Sequence, residues 1–393
     1  MKVAVLHRSL NPMGGAERVC LETIQVLKNG GHEVILGTIE PTDWNAVTRR
    51  LGKTTRPDAE VSLLPFRLDA FGIYLRLLAA FLAMRIRRRS HLLMITHPNS
   101  DVLPVRADIT YVHYPTSALL SESLTTLKYA QSPFWRAYFV PYDAIEHWLV
   151  KRRWFLEGIV LTNSTFSQKA IWKYLGKNAV VLYPAVDIER FMTVAGERSR
   201  EPLVISCGRY SPEKRYELVL EVAAKVGGRG RFAIVGMSTG RVSNEYYEKL
   251  VDMKNQMGLD NVELYRGISF DELLELYARA RVFLHAMKNE HFGIAVIEAI
   301  AAGLVPVVHR SGGPWEDILQ GEQGLYGYSF LTADEASKII SGILDGGISE
   351  EMQRRNIEYA SSFSSAAFEK KLLKIISSRI GDVESLKTLH GQS

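Results

Sequence analysis

The chain has 393 residues, 47% of them hydrophobic and 23% charged, with 48 Lys and Arg against 43 Asp and Glu. That length allows two full cores, since one core rarely grows beyond about 250–300 residues, and the balance excludes a disordered chain. Cys20 and Cys207 lie far apart, which excludes a disulfide framework or a zinc spacing and suits a reducing compartment.

The first apolar run, Val3–Leu6, has strand length and meets His7-Arg8 too early for a signal peptide. After the loop Asn11-Pro-Met-Gly-Gly15, a helix is expected from Ala16 to Lys28, with Val19, Thr23, Val26 and Leu27 along one side. Gly30-Gly31 ends it and His32–Leu36 begins the next strand, giving a βαβ unit with a right-handed crossover. G-x-G-x-x-G is lacking, which disfavours a dinucleotide dehydrogenase. From the residues alone, Gly14-Gly15 is a tight strand-to-helix turn. His91–Thr96 and Ile109–His113 read as further strands, and His113 stands at a strand end, where open α/β sheets bind ligands; a structural histidine fits equally. Glu157–Thr162 and Val180–Pro184 continue the pattern, with Asn163-Ser164-Thr165 as a helix cap. Residues 1–185 hold 23 Lys and Arg against 14 Asp and Glu. A basic first half suits an anionic surface or acceptor, and no nucleic-acid-binding motif accompanies it. Asp187 to Arg200 is polar enough to be a hinge.

A second series starts at Leu203–Cys207, followed by Gly208-Arg209-Tyr-Ser-Pro-Glu-Lys214. An arginine just past a strand and a lysine five positions on can clamp a diphosphate, one as a planar fork of donors, the other as a movable point charge. Helix 216–226, strand Arg231–Gly236, a helix near 243–257, strand Val262–Gly267 and helix Asp271–Ala280 repeat the alternation. Then strand Arg281–Ala286 leads through Asn289-Glu290-His291-Phe292-Gly293 into a helix with Ile294, Ile297, Ala301 and Ala302 at helical spacing, stopped by Gly303 and Pro306. Gly293 permits close approach of backbone to ligand, and the unpaired first-turn N–H groups with the helix dipole make a seat for phosphate. A carboxylate in such a seat is unfavourable unless it faces sugar hydroxyls, so Glu290 and Glu298 around it suggest a nucleotide sugar. Taken bare, the pair also fits a solvated helix face. Asp334–Leu344 and Ser365–Ile380 read as closing helices, and Asp382–Ser393 as a fraying tail.

The run Asn289-Glu-His-Phe-Gly-x4-Glu298-Ala-x3-Gly303-x2-Pro306, followed by Ser311-Gly-Gly-Pro314, closely resembles the nucleotide-sugar site of glycosyltransferase family 4 with its E-x7-E element. Its wording is most similar to the mannosyltransferases of dolichol-linked oligosaccharide assembly, the α-1,2 type in particular. The resemblance implies the GT-B fold, an α/β class with two Rossmann-like doubly wound domains facing across a cleft. It implies an acceptor domain over residues 1–185, joined by a crossover helix at about 365–393, and a donor domain over 186–364. The activity implied is retaining transfer of a hexose, mannose above others, from a nucleoside diphosphate sugar to a lipid-linked or glycan acceptor. Glu290 would then hold the sugar hydroxyls, with His113 near the sugar, and Glu298 the ribose. Arg209 and Lys214 would hold the diphosphate after Gly208, and the N–H groups of Phe292, Gly293 and Ile294 would complete the phosphate seat. Gly14 and Gly15 would join the donor-binding residues by letting donor or acceptor phosphate approach the first domain. GDP-mannose is the favoured donor, and neither a cofactor nor a metal is expected. No Asp-x-Asp stands at a strand end; Asp187-Ile-Glu189 and Asp382-Val-Glu384 lie in poor contexts. One departure from the family is Gly236-Met-Ser-Thr-Gly240, which lacks the tight glycine-x-glycine turn.

Phe71–Met84 with Arg85, Arg87, Arg88 and Arg89 is the most apolar helix-like stretch, and Phe134 to Phe155 interleaves aromatics with cations. Two readings stand: segments lying at a headgroup layer, or buried helices whose arginines snorkel outward. No stretch of about 18 apolar residues is present, so no spanning segment is expected. Resemblance to lipid-acceptor enzymes favours peripheral contact with an anionic membrane, on the cytoplasmic face, and no nucleic-acid partner. The alternatives are a family 4 transferase using a UDP- or ADP-sugar with a soluble acceptor, a sugar phosphorylase or epimerase, or an inactive nucleotide-sugar-binding subunit.

Overall fold

In the computed structural model, internal contacts divide the chain into two units, Met1–Ala185 with Ser365–Ser393, and Val186–Ser364. The structure describes all residues except 52–53, 67–71, 97–104, 119–132, 153–156, 197–199, 239, 348 and 391–393. Trp154 and Phe155, part of the expected aromatic and cationic segment, lie outside the described residues. No helix among the described residues is long and apolar enough to cross a membrane.

The first unit runs β1 (Lys2–Leu6), α1 (Gly15–Asn29), β2 (Glu33–Thr38), α2 (Trp44–Leu51), β3 (Ala59–Ser62), α3 (Gly72–Arg87), β4 (Leu92–Ile95), β5 (Ile109–Tyr111), α4 (Pro133–Arg152), β6 (Ile159–Thr162), α5 (Thr165–Leu175) and β7 (Ala179–Val181). Its seven parallel strands stand in the order β3-β2-β1-β4-β5-β6-β7. Strand side chains alternate between faces, so Val3 and Val5 pack under α1 while Ala4 and Leu6 pack under α3. Being covered on both faces, these strands read as continuous apolar runs. Ser164 caps α5 by accepting from the Ser167 N–H at 3.0 Å, and Gly176 closes it in the left-handed region.

The second unit runs α6 (Ile188–Met192), β8 (Leu203–Cys207), α7 (Tyr216–Val226), β9 (Arg231–Gly236), α8 (Arg241–Gln256), β10 (Val262–Arg266), α9 (Phe270–Arg279), β11 (Val282–His285), α10 (Ile294–Ala301), β12 (Val305–His309), β13 (Tyr328–Phe330), α11 (Ala333–Gly346) and α12 (Glu350–Ala360). Its six parallel strands stand in the order β10-β9-β8-β11-β12-β13. A last helix, α13 (Ser365–His390), belongs to the first unit, where Phe368, Leu372 and Ile376 enter the core beside α1. Each sheet reverses its strand order once, between β1 and β4 and between β8 and β11. Loops leaving the carboxyl ends at such a point flank a crevice.

Several elements differ from the pattern reading. The polar stretch from Asp187 carries packed groups of the second unit: Ile188 and Phe191 are buried, Phe191 packs on Phe270 and Tyr277, and the Arg200 guanidinium donates to the carbonyls of Tyr277, Ala280 and Ala302 at 2.9, 2.7 and 2.5 Å. A polar composition concealed two apolar anchors and a buried arginine that satisfies carbonyl groups. The four-residue β3 has no fully buried side chain, and α12 buries only Met352, Asn356 and Ala360, so neither shows a strong apolar period. The polar end of the chain stays helical to His390 instead of fraying from Asp382.

Candidate active site

The turn after β11 is built by a second turn beneath it. Asn289 and Gly293 both take the left-handed region, at φ 54° and 103°. The Asn289 N–H donates to Ser311 Oγ at 2.9 Å, and that hydroxyl lies 2.8 Å from His309 Nδ1 at the end of β12. The Gly313 N–H donates to the Glu290 carbonyl at 2.8 Å. A Cβ on Gly312 would fall 2.3 Å from that same carbonyl oxygen, and one on Gly313 would fall 2.5 Å from the carbonyl of His291. The Ser311-Gly-Gly-Pro314 wording is therefore steric: only backbone without side chains can lie this close to residues 290–291. Phe292 is buried and packs on Phe363, and Ile294 opens α10 directly after Gly293.

The Glu290 side chain faces the loop from β8. Lys214 closes a single 3-10 turn, Pro212–Lys214, and its Nζ lies 2.6 Å from Glu290 Oε2, with His285 Nε2 3.5 Å from the same oxygen. The Lys214 and Glu290 side chains are 18% and 17% exposed, reachable by a ligand yet poorly screened. Burial pushes the Glu290 carboxyl up, but the Lys214 ammonium and the His285 imidazole outweigh it and hold the carboxyl well below its ordinary value. Burial, reinforced by Lys214, lowers the His285 imidazole even though Glu290 opposes it. Arg215, left-handed at φ 54°, turns back to donate to the Ala286 carbonyl at 3.2 Å and so ties the two loops together. Gly208 lies against Lys214, where a Cβ would come 3.2 Å from Lys214 Cε, and a Cβ on Gly236 would come 2.3 Å from the Gly208 carbonyl. Close approach at the Gly236 turn thus needs only its first glycine.

Of the expected residues, the structure brings Gly208, Lys214, Glu290 and Gly293 together at the switch point. Arg209 stands apart, 72% exposed, 3.5 Å from Glu213. Glu298 is buried on α10, close enough for its charge to help raise the Tyr277 hydroxyl, whose main cause is burial. Pattern reading missed His285, Arg215 and the His309–Ser311 support. The only signal was position, at a strand end or beside Lys214.

In the first unit, Gly14 caps α1 and its N–H donates to Glu17 Oε2 at 2.6 Å, with Gly15 the first helical residue. Glu17 is buried with His7 Nε2 3.6 Å away, and His7 Nδ1 lies 3.0 Å from Thr96 Oγ1. Burial pushes the His7 imidazole down, but Cys20 and Glu17 outweigh it and raise it to about 10. His113 lies two residues past β5, half-buried, its ring 4.7 Å from that of Tyr111.

Residues 187–363, nearly the whole second unit, match the family described as glycosyl transferases group 1. This stretch is a glycosyl transferases group 1 domain. The chain is 30% identical over 289 residues to a mouse GDP-Man:Man(3)GlcNAc(2)-PP-Dol alpha-1,2-mannosyltransferase, covering 66% of this chain and 58% of that one. It is 31% identical over 237 residues to the Dictyostelium discoideum protein of the same name, covering 56% and 46%. The match thus spans less than two thirds of these relatives' own lengths. Among solved structures, the chain is similar to Anabaena Alr3699/HepE in complex with UDP, at TM-score 0.70 and 17% identity over 96% of this chain and 100% of that one. It is also similar to WaaG, a glycosyltransferase involved in lipopolysaccharide biosynthesis, at TM-score 0.69 and 14% identity over 95% and 99%. The fold is GT-B, with two parallel-sheet α/β domains.

The buried histidines give the group 1 domain and the first unit opposite pH responses. In the group 1 domain, burial and then the nearby cations Arg215 and Lys288 lower His309 to about 4 from 6.5. Below pH 6.5 the unfolded chain binds a proton there that the folded chain takes up only near pH 4, so stability falls on acidification through that window. The loss is on the order of 3 kcal/mol. Glu290, held low, acts with the same sign at lower pH. His7 works the other way: its contribution is fully present below pH 6.5 and is lost as pH rises toward 10. Denaturant unfolding of the full chain at several pH values should show both slopes, with His309→Asn flattening only the acid one. An unchanged acid slope in that variant would contradict the assignment.

Proposed function

We propose that the protein is a retaining hexosyltransferase that moves mannose from a nucleoside diphosphate sugar, GDP-mannose above others, to a lipid-linked glycan acceptor. The observation that carries the reading is the Lys214–Glu290–His285 cluster, set between the β8 and β11 loops at the start of α10. It combines a cation, a carboxylate kept ionised and the N-terminal end of a helix at one point. A diphosphate needs the first and third, and sugar hydroxyls need the second. In this reading Glu290 orients the transferred sugar, Glu298 takes the ribose hydroxyls, and Lys214 takes the diphosphate, with Arg209 swinging in from solvent. The N–H groups of Phe292, Gly293 and Ile294 line the phosphate seat, His113 stands near the transferred sugar, and the Gly14-Gly15 turn lets donor or acceptor phosphate approach the first domain. The difficult step is departure of the nucleoside diphosphate as the anomeric carbon becomes cationic. Fixed donors at the leaving oxygens stabilise the developing charge, each by about 3–4 kcal/mol on the scale of oxyanion-hole groups. Such donors make a divalent metal unnecessary. The names of the sequence relatives support mannose, a GDP donor and a dolichol-linked acceptor. The reading includes peripheral contact with the cytoplasmic face of an anionic membrane.

A donor screen by thermal shift tests the first part: GDP-mannose should raise Tm more than UDP- or ADP-sugars at equal concentration, because bound donor stabilises by mass action. Transfer of labelled mannose to a dolichol-linked oligosaccharide should then persist in EDTA. Activity lost to the chelator and restored by magnesium or manganese would show the charge assignment to be wrong, and a larger shift with a UDP-sugar would overturn the donor.

A further inference from the structure

The first unit holds a basic cavity, at the opposite edge of its sheet from the carboxyl-end loops. It encloses about 650 Å3 and is lined by Arg87 and Arg88 from the end of α3, Arg106 and Asp108 from just before β5, Glu157 and Gly158 from just before β6, and Arg379 from α13. Four guanidinium groups thus face two carboxylates, an excess of two positive charges, and Arg106 Nε lies 3.4 Å from Glu157 Oε2. Asp108 is already committed: Oδ2 accepts the Leu93 N–H at 2.8 Å and lies 3.4 Å from Arg87, while Oδ1 lies 3.8 Å from Arg379. It orders two arginines without neutralising the group. Arg379 Nε is buried with no hydrogen-bond partner, a donor left over in the cavity wall. Gly158 shapes the floor, since a Cβ there would sit 2.3 Å from the Ala107 carbonyl.

An apolar stripe leads into this cavity. Along α3, Ala79, Leu82, Ala83 and Ile86 are buried in the core, whereas Leu78, Phe81 and Met84 are 42%, 63% and 41% exposed. The exposed line continues into Arg85, Arg88 and Arg89, and Met84 and Arg88 themselves line the cavity. On α4, Val140, Ile145 and Trp148 are exposed as well. Strand register sets both helices on one layer. Ala4 pairs with Leu93, Ile95 with Thr110, and Thr110 with Val160, so the side chains under α3 and those under α4 share one face of the sheet.

An outward layer that is apolar, rimmed by arginine and pierced by a cationic cavity complements one kind of surface: hydrocarbon beneath phosphate. We propose that the α3–α4 layer docks on an anionic phospholipid bilayer and that the cavity binds the phosphate of one lipid headgroup. This inference rests on the peripheral-membrane part of the reading above and names its lipid. It does not depend on the donor.

The test is co-sedimentation of the full chain with phosphatidylglycerol-containing or pure phosphatidylcholine vesicles, at low and high salt, with GDP-mannose thermal shift run in parallel. Wild type should bind the anionic vesicles at low salt and release as salt screens the charges. The double variant Arg88→Gln/Arg379→Gln should weaken binding about 30-fold, at about 1 kcal/mol per cation. Phe81→Asp should weaken binding with the cavity intact, and both variants should keep the wild-type Tm and donor shift. Wild type left in the supernatant with anionic vesicles at low salt overturns the proposal. So does vesicle binding unaltered in the double variant, or glycerol phosphate binding without vesicle binding, which would mark a soluble-phosphate site. Vesicle binding with no shift from any nucleotide sugar would defeat the transferase reading and leave the docking face standing.

Discussion

Glu290→Gln should lower kcat for transfer by about 10²–10³-fold, the scale for removing a group aimed at transition-state charge, with donor KM little changed. The substitution keeps the volume and the ability to accept from Lys214 Nζ, 2.6 Å away, and removes only the charge that holds the carboxylate ready for sugar hydroxyls. Sugar orientation counts most as the anomeric bond breaks, so the loss falls on kcat. Glu298→Gln should differ in kind. Buried on α10 and assigned to the ribose, its loss should raise donor KM and weaken free nucleoside diphosphate, with kcat nearly intact. Steady-state kinetics beside calorimetry with GDP separates the two, and identical defects in both variants would contradict the division of roles.

Gly312→Ala should cost about 3–5 kcal/mol of stability and most of the activity. Two causes add. The residue sits at φ 75°, where any Cβ is strained, and that Cβ would lie 2.3 Å from the Glu290 carbonyl oxygen. The obstacle is backbone, so relief requires moving the turn that carries Glu290. Gly321→Ala is the control: φ is 69° but nothing lies within 4 Å, so the conformational cost of about 1–2 kcal/mol stands alone. Denaturant unfolding should show the larger loss only at Gly312. Equal losses would mean that the two turns are not in close contact.

How much of this was legible in the sequence depended on burial. Strands covered on both faces, such as β8 and β11, are continuous apolar runs and read plainly. The short edge strand β3 and the half-exposed α12 carry no such period and were missed. The packing of the polar stretch around Ile188 and Phe191 stayed hidden because composition averages over a segment, whereas two apolar side chains suffice to dock it. At the site, Glu290, Lys214, Gly208 and Gly293 stood out through spacing after strands. The Lys214–Glu290 contact did not, because 76 residues separate the partners and only the switch point between β8 and β11 joins them. The reason for Gly312 and Gly313 was equally hidden: a glycine pair announces permissive backbone, not which carbonyl it lies against. For α3 the sequence offered a core helix or an interfacial one, and the structure shows an inner face in the core beneath an exposed apolar outer face.

The contact between Lys214 and Glu290 means that the two charges satisfy each other, each serving as a stand-in for a part of the proposed ligand. In the proposed reaction an intact donor replaces both halves at once, diphosphate for the carboxylate and sugar hydroxyls for the ammonium. A spent nucleoside diphosphate replaces only one, leaving Glu290 ionised in a poorly solvated place with only His285 beside it. The two side chains therefore compete to re-form their own pair once the sugar has gone. Turnover would be biased toward release, and product inhibition would be weaker in the wild type than in Glu290→Gln, where no carboxylate is left to reclaim the lysine.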